Sequence, residues 1–123
     1  MSISNYLENA ILDAVGNNTA LQVAQAYVKL HTGDPGEAGT SNAAGETTRK
    51  SVSFAAASGG SMASDADAAW TNVSTAETLT HVSLWDNATA GNCLWTGALT
   101  ASKTVAVGDN FTIPSGSLTL SVD

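Results

Sequence analysis

Charge is what this sequence has least of. Only 12% of its 123 residues are charged, against roughly 25% in an average soluble domain. Basic residues are scarcer still. Lys29, Arg49, Lys50 and Lys103 stand against eleven Asp and Glu, for a formal net charge of −7. Nucleic-acid binding takes clustered Lys and Arg that displace counterions from phosphates. Only Arg49 and Lys50 adjoin, and that pair reads as a solvated loop, so neither nucleic acid nor an anionic membrane surface is expected as a partner. Cysteine is down to a single residue, Cys93, which excludes an internal disulfide. It lies in the apolar run Cys93-Leu94-Trp95 with no cation close in sequence, the setting of a buried small hydrophobe rather than a reactive thiol. No segment approaches the ~18 consecutive apolar residues of a membrane helix. The first residues also lack the basic start and apolar run of a secretory signal. Synthesis in a cytoplasm, with no membrane span, is the expectation. Internal repeats and coiled-coil heptads are missing too, which leaves no sequence device for an extended shaft.

Apolar residues, by contrast, make up 43%, too many for a disordered chain. Residues 1–123 are the size of one domain. Ile3, Leu7, Ile11, Ala14 and Val15 recur at helical spacing and predict a helix over 1–16 with one apolar stripe. Ser4 or Asn5 is placed to cap it, Glu8 follows Asn5 at capping-box spacing, and Gly16 supplies a left-handed stop. A helix of about three turns is not stable alone in water, so its stripe is expected to dock on the core or on a neighbouring subunit. From residue 26 the period changes to two. Ala26–His31 alternates and ends at the turn Thr32-Gly-Asp-Pro-Gly36. The polar, glycine-rich stretch 33–48 reads as a long exposed loop, the most flexible part of the chain. Strand signals recur at 51–54, 66–70, 79–85, 93–99, 103–107, 111–113 and 118–122, and the last runs on to Asp123. Turn signals every 8–12 residues or so and an abundance of Thr and Val predict a mainly β domain. The fold expected over 26–123 is an antiparallel β-sandwich of jelly-roll type, with the short helix in front. Ile3, Leu7, Ile11 and Val15 of the helix stripe, with Leu118, Leu120 and Val122 of the closing strand, are the candidate contacts with neighbouring chains.

Chemistry is hard to find. His31 near Asp34, or His81 near Asp86, forms a Ser-His-Asp set only on paper, because no Gly-x-Ser-x-Gly elbow is present. No catalytic residue is expected. One Cys and two distant His do not make a zinc site, and Asp65 with Asp67 lack the glycine and glutamate of a calcium loop. Gly59-Gly60 opens no phosphate-cradling helix. No metal and no cofactor are expected. Trp70, Trp85 and Trp95 invite a carbohydrate-binding reading, but each falls within or at the end of an apolar alternation, as packed tryptophans do.

Five stretches nevertheless carry a resemblance. They are Ser-Ile-Ser-Asn-Tyr-Leu-Glu-Asn-Ala-Ile-Leu-Asp-Ala-Val at 2–15 and Tyr-Val-Lys-Leu-His-Thr-Gly-Asp-Pro-Gly at 27–36. Val-Ser-Phe-Ala-Ala-Ala-Ser-Gly-Gly at 52–60, Thr-His-Val-Ser-Leu-Trp-Asp at 80–86, and Leu-Trp-Thr-Gly-Ala-Leu-Thr-Ala-Ser-Lys-Thr-Val at 94–105 followed by Gly108-Asp109 complete the set. Over nearly its whole length the chain resembles a family of small tailed-bacteriophage proteins labelled tail fibre or virion proteins. The resemblance implies a place in the virion and transfers no catalytic residue. The absence of shaft and repeats, together with the weakly charged surface, points within that class to a capsid decoration (cement) protein. It would be a trimer bound to the major capsid protein or other virion proteins. A tail-fibre or baseplate component is the alternative, and a carbohydrate-binding module a lesser one.

Overall fold

The computed structural model describes residues 1–122. In chain order the elements are β1 (Ser2–Ile3), α1 (Asn5–Gly16), β2 (Ala26–His31), β3 (Lys50–Val52), β4 (Ser61–Ala63), β5 (Ala68–Trp70), β6 (Glu77–Trp85), β7 (Cys93–Val105), β8 (Phe111–Ile113) and β9 (Thr119–Ser121). The mainly β reading holds, with antiparallel pairing throughout and one short N-terminal helix. A five-stranded sheet in the order β1-β7-β6-β2-β3 forms one layer, and two separate two-stranded ladders, β4-β9 and β5-β8, supply the rest. Any continuation of the last strand to Asp123 lies outside the described residues.

Alternation along the central strands sorts their side chains onto two faces. Val28 and Leu30 of β2 and Val82 and Leu84 of β6 share one face, where they meet Trp70, Phe111, Ile113, Leu118 and Leu120 from the ladders in the hydrophobic core. Trp70 is the largest fully buried side chain. Its indole N–H donates to the Thr48 carbonyl at 2.7 Å, and its ring lies 5.9 Å from that of Phe111. Lys29, His31, Ser83 and Trp85, one residue out of phase, occupy the opposite face.

The helix begins at Ser4, whose side-chain oxygen accepts the Leu7 N–H at 3.2 Å. With the cap at Ser4, Glu8 falls one position past the capping-box site. Ser4 is tied to β7 as well: its N–H donates to the Leu94 carbonyl at 2.9 Å and its hydroxyl to that of Cys93. The stop differs from the sequence reading. Gly16 stays helical, Asn17 caps the end, and the left-handed residue is Asn18 at φ 53°, a conformation Asn tolerates. Ile3 is not helical either; it pairs with Trp95 in β1.

The stretch 33–48 forms no regular strand, as expected, but it is not a free surface loop. It folds back over the sheet, where Pro35 and Gly39 are buried and Ala44 enters the core. Glu77 holds its far end, each carboxylate oxygen accepting one N–H, from Gly45 at 2.8 Å and Glu46 at 3.1 Å. The two segments read at 93–99 and 103–107 are one thirteen-residue strand. Its register against β6 slips between Leu79 and His81, so that Leu99–Ser102 face Thr80 alone.

Candidate functional site

The face of the sheet turned away from the main core carries a buried, hydrogen-bonded polar cluster. β2 and β6 pair as Lys29↔Ser83 and His31↔His81, which sets His31 diagonally beside Ser83. His31 Nε2 lies 2.7 Å from Ser83 Oγ, His31 Nδ1 lies 2.9 Å from the Ser41 carbonyl, and the Trp85 indole N–H donates to Ser83 Oγ at 2.7 Å. An indole can only donate and a carbonyl can only accept. The proton order is therefore fixed: Trp85 donates to Ser83, Ser83 donates to His31 Nε2, and His31 donates from Nδ1 to Ser41. The neutral imidazole satisfies every partner. Burial pushes its pKa below the ordinary histidine value, opposed by the carbonyls of Ser41 and Asn42 and assisted by the charges of Lys29 and His81.

A Ser–His pair at hydrogen-bond distance is the feature the sequence offered only on paper. Here both residues are 0% exposed, the serine oxygen already accepts from Trp85, and a carbonyl rather than a carboxylate orients the histidine. The arrangement locks the 33–43 segment onto the sheet.

Two of the chain's four cations lie beside this lock. Arg49 lies 4.0 Å above the Trp85 ring centroid, and the Lys29 ammonium lies 5.9 Å from it. From one guanidinium nitrogen Arg49 donates to the Asn87 carbonyl at 2.8 Å and to the Ala90 carbonyl at 2.7 Å, so it staples the β6–β7 turn. Arg49 is thus a tertiary contact rather than a residue of a solvated loop, a correction that only the pairing of β3 with β2 reveals. Lys50 follows Arg49 in sequence but pairs with Val28, so it lies on the core side of the sheet, away from Arg49 and Lys29. Cys93, on the same side, meets Gly39 and has its thiol pushed up to about 11 by burial, with Arg49 opposing.

The candidate contact residues are distributed unevenly. Leu118 and Leu120, each 5% exposed, lie in the chain's own core, because β9 pairs with β4 of the same chain; they do not face a neighbour. Leu7 is the one buried helix residue. Ile3 and Ile11 are half-buried, while Val15 at 83% and Val122 at 53% face solvent. Leu12, at 67% exposed, was missed by the sequence reading. The docked and free faces of α1 diverge there, and only the docking of Leu7 shows which face is free.

At the end of the sandwich beside β3 is an apolar cleft of about 380 Å³, where Val23, Val52, Phe54, Met62, Trp95 and Leu120 are among the lining residues. Trp70 and Trp85 are buried, and Trp95, half-buried against the core, reaches the cleft. Asp65 and Asp67 serve as turn acceptors, from the Ser53 hydroxyl and from the Ser115 N–H at 2.7 Å respectively. Among the described residues no group of His, Cys, Asp and Glu is placed to hold a metal, and no helix is long and apolar enough to cross a membrane.

No curated protein matches the chain. Its residues 2–121, by contrast, match a family described as podophage GP4 fiber I protein gp80. That match takes in both edges of the five-stranded sheet, the His31–Ser83 lock and both two-stranded ladders, and by it the chain belongs to the podophage GP4 fiber I protein family, a family of small tailed-phage virion proteins.

Proposed function

We propose that the protein is a non-catalytic structural unit of a fibre on a podophage particle, acting as a homo-oligomer among other virion proteins. The family match over 2–121 carries this reading. The chemistry of the molecule is in keeping with it. Its one buried Ser–His pair is consumed in holding a loop, and its exposed features include the apolar helix residues Leu12 and Val15 and an apolar cleft, both suited to contacts between chains.

Capsid decoration is the second reading, and a different observation favours it. Among the described residues the longest helix has 12 residues and the longest strand 13, so no described element spans more than a few tens of ångströms. The two readings separate on the particle. Labelling with antibody and gold should mark the tail for a fibre unit and the head for a decoration protein. Particles depleted of the protein should lose adsorption to host cells in the first case. In the second they should adsorb normally and release DNA at a lower temperature. Depleted particles that keep both properties, with no label on either part, would remove the virion role.

A further inference from the structure

The start of α1, the turn after Pro35 and the turn between β6 and β7 meet around a cleft of about 380 Å³. Buried Trp85 and Cys93 line it from the sheet, while Asn5, Tyr6, Glu37, Thr40 and Asn92 line it from the three segments and are exposed. Each segment is fixed at its base. Ser4 ties the start of the helix to β7 through the Cys93 and Leu94 carbonyls. The Gly39 N–H closes the second turn on the Gly36 carbonyl at 3.0 Å. Arg49 staples the third, where Asp86 accepts the Asn92 N–H at 2.8 Å and its side-chain amide at 3.0 Å. The bonds that hold these segments leave the side chains of Asn5, Tyr6, Glu37 and Thr40 free to take a partner, and the side-chain oxygen of Asn92 as well. A cleft of fixed walls and unspent polar groups loses little on ordering when a ligand enters.

The chemistry of the lining narrows the ligand. Tyr6, 44% exposed, is the one largely exposed aromatic among the described residues, and an aromatic ring offers flat apolar area with a hydroxyl at its tip. Glu37 is the one charged residue of the lining, so an anionic ligand would meet a like charge. Amides, hydroxyls and a carboxylate together match a molecule dense in hydroxyl groups. A peptide strand would need open backbone, and here the Cys93 carbonyl is taken by Ser4 while Trp85 is paired with Tyr27 and Cys93 on its two sides. We propose that this cleft binds a neutral saccharide, with Tyr6 against the apolar face of a sugar ring and Glu37, Thr40 and the two asparagines on its hydroxyls. The volume lies at the small end of the roughly 300–1,000 Å³ of ligand sites, which suits a short sugar unit. The site serves a fibre unit and a decoration protein alike.

The test uses the full chain on an array of neutral and anionic bacterial surface oligosaccharides, beside ligand-observed NMR with free glucose, galactose, mannose and N-acetylglucosamine. A neutral saccharide should bind. Signal on the array alone identifies a surface glycan as the source, and signal from the monosaccharides identifies free sugar. Tyr6→Ala and Glu37→Gln should each weaken that binding by about tenfold or more, while Val107→Ser, an exposed change outside the cleft, should leave it unchanged. Circular dichroism checks each fold. Should Tyr6→Ala loosen the helix, Glu37→Gln and Thr40→Ala, which lie outside it, decide the matter. No saccharide bound in either assay, binding of anionic glycans only, or affinity indifferent to the cleft substitutions overturns the proposal. None of these results alters where antibody labels the particle, so the fibre reading stands or falls separately.

Discussion

His31 Nε2 accepts a hydrogen bond from the Ser83 hydroxyl at 2.7 Å, and no proton can be added to that nitrogen without breaking the arrangement. An imidazolium would need Nε2 to donate, the Ser83 hydroxyl would have to turn, and its hydrogen would face a buried site already occupied by the Trp85 N–H. Stability should therefore depend on pH with a known sign. In the unfolded chain His31 takes a proton near its ordinary value of about 6.5, while in the folded chain burial holds its pKa lower. As pH falls below about 6.5 the unfolded state binds the proton first, so folding free energy declines, by at most about 1.4 kcal/mol per pH unit, until the folded value is passed. Denaturant unfolding followed from pH 7 downward should show this decline. A flat profile between pH 7 and 5 would contradict it.

Ser83→Ala removes the centre of the same relay and strands two buried groups, the Trp85 N–H and His31 Nε2. An unsatisfied buried partner costs about 1–3 kcal/mol, so the variant should be destabilised by about 2–4 kcal/mol in chemical denaturation. Ser83→Thr keeps the hydroxyl and should recover part of the loss. Equal stability of Ser83→Ala and wild type would mean that the relay does not hold the loop.

Gly39 and Cys93 test how closely the 33–43 segment sits on the sheet. Gly39 is left-handed at φ +70°, and a Cβ there would come to 2.5 Å from the Cys93 sulfur. Gly39→Ala should cost more than the ~1 kcal/mol of an ordinary left-handed site, and Cys93→Ala should return part of the difference in a double-mutant cycle. The thiol itself, buried and raised to about 11, should ignore a disulfide reagent at neutral pH and react once the chain is denatured. Prompt reaction of the native protein would show that the segment opens.

Strands were legible in the sequence where alternation was clean and turn residues bounded it. β2 at Ala26–His31 and β8 at Phe111–Ile113 match their runs because one face of each is apolar. The break in β7 expected between 99 and 103 was misleading. Small polar residues there mark a register slip on the sheet rim, and a slip does not end a strand. The stretch 33–48 misled for a related reason. Loop composition reports missing backbone pairing, but it does not report burial. What buries this stretch is Glu77 holding Gly45 and Glu46 across more than thirty residues of chain, a contact with no local trace. Arg49 was hidden likewise, since its ring partner Trp85 lies two strands away in the sheet. At the candidate interface, helical spacing found the apolar residues of α1 but gave the docked and free faces no labels.

That reassignment of the loop changes where a protease should cut. Cleavage needs backbone that is exposed and free to leave the fold. Residues 12–25 are all exposed, whereas 33–48 is pinned at His31, Ala44 and Glu77. Limited proteolysis of the free protein should nick within 17–25 before 33–48, read by mass spectrometry of the first fragments. A first cut inside 33–48 would return that stretch to the status of a free loop.

The two ends of α1 supply the last prediction, because Leu7 in its first turn is buried and Val15 in its last turn is exposed. Leu7 is 4% exposed and sits in the first turn, where Ser4 ties the helix to β7 through the carbonyls of Cys93 and Leu94. Leu7→Asp places an unpaired carboxylate in that contact and removes the helix's main anchor, with an expected loss of about 3–5 kcal/mol. Val15, 83% exposed, gives up no burial within the chain, so Val15→Asp should shift monomer stability by no more than about 0.5 kcal/mol. Its effect, if the helix face is a contact between copies, belongs to assembly alone. Thermal unfolding of dilute protein reads the first quantity and sedimentation at high concentration the second. If Val15→Asp melts the dilute monomer as strongly as Leu7→Asp does, the last turn of the helix is part of the fold and not available to a neighbour.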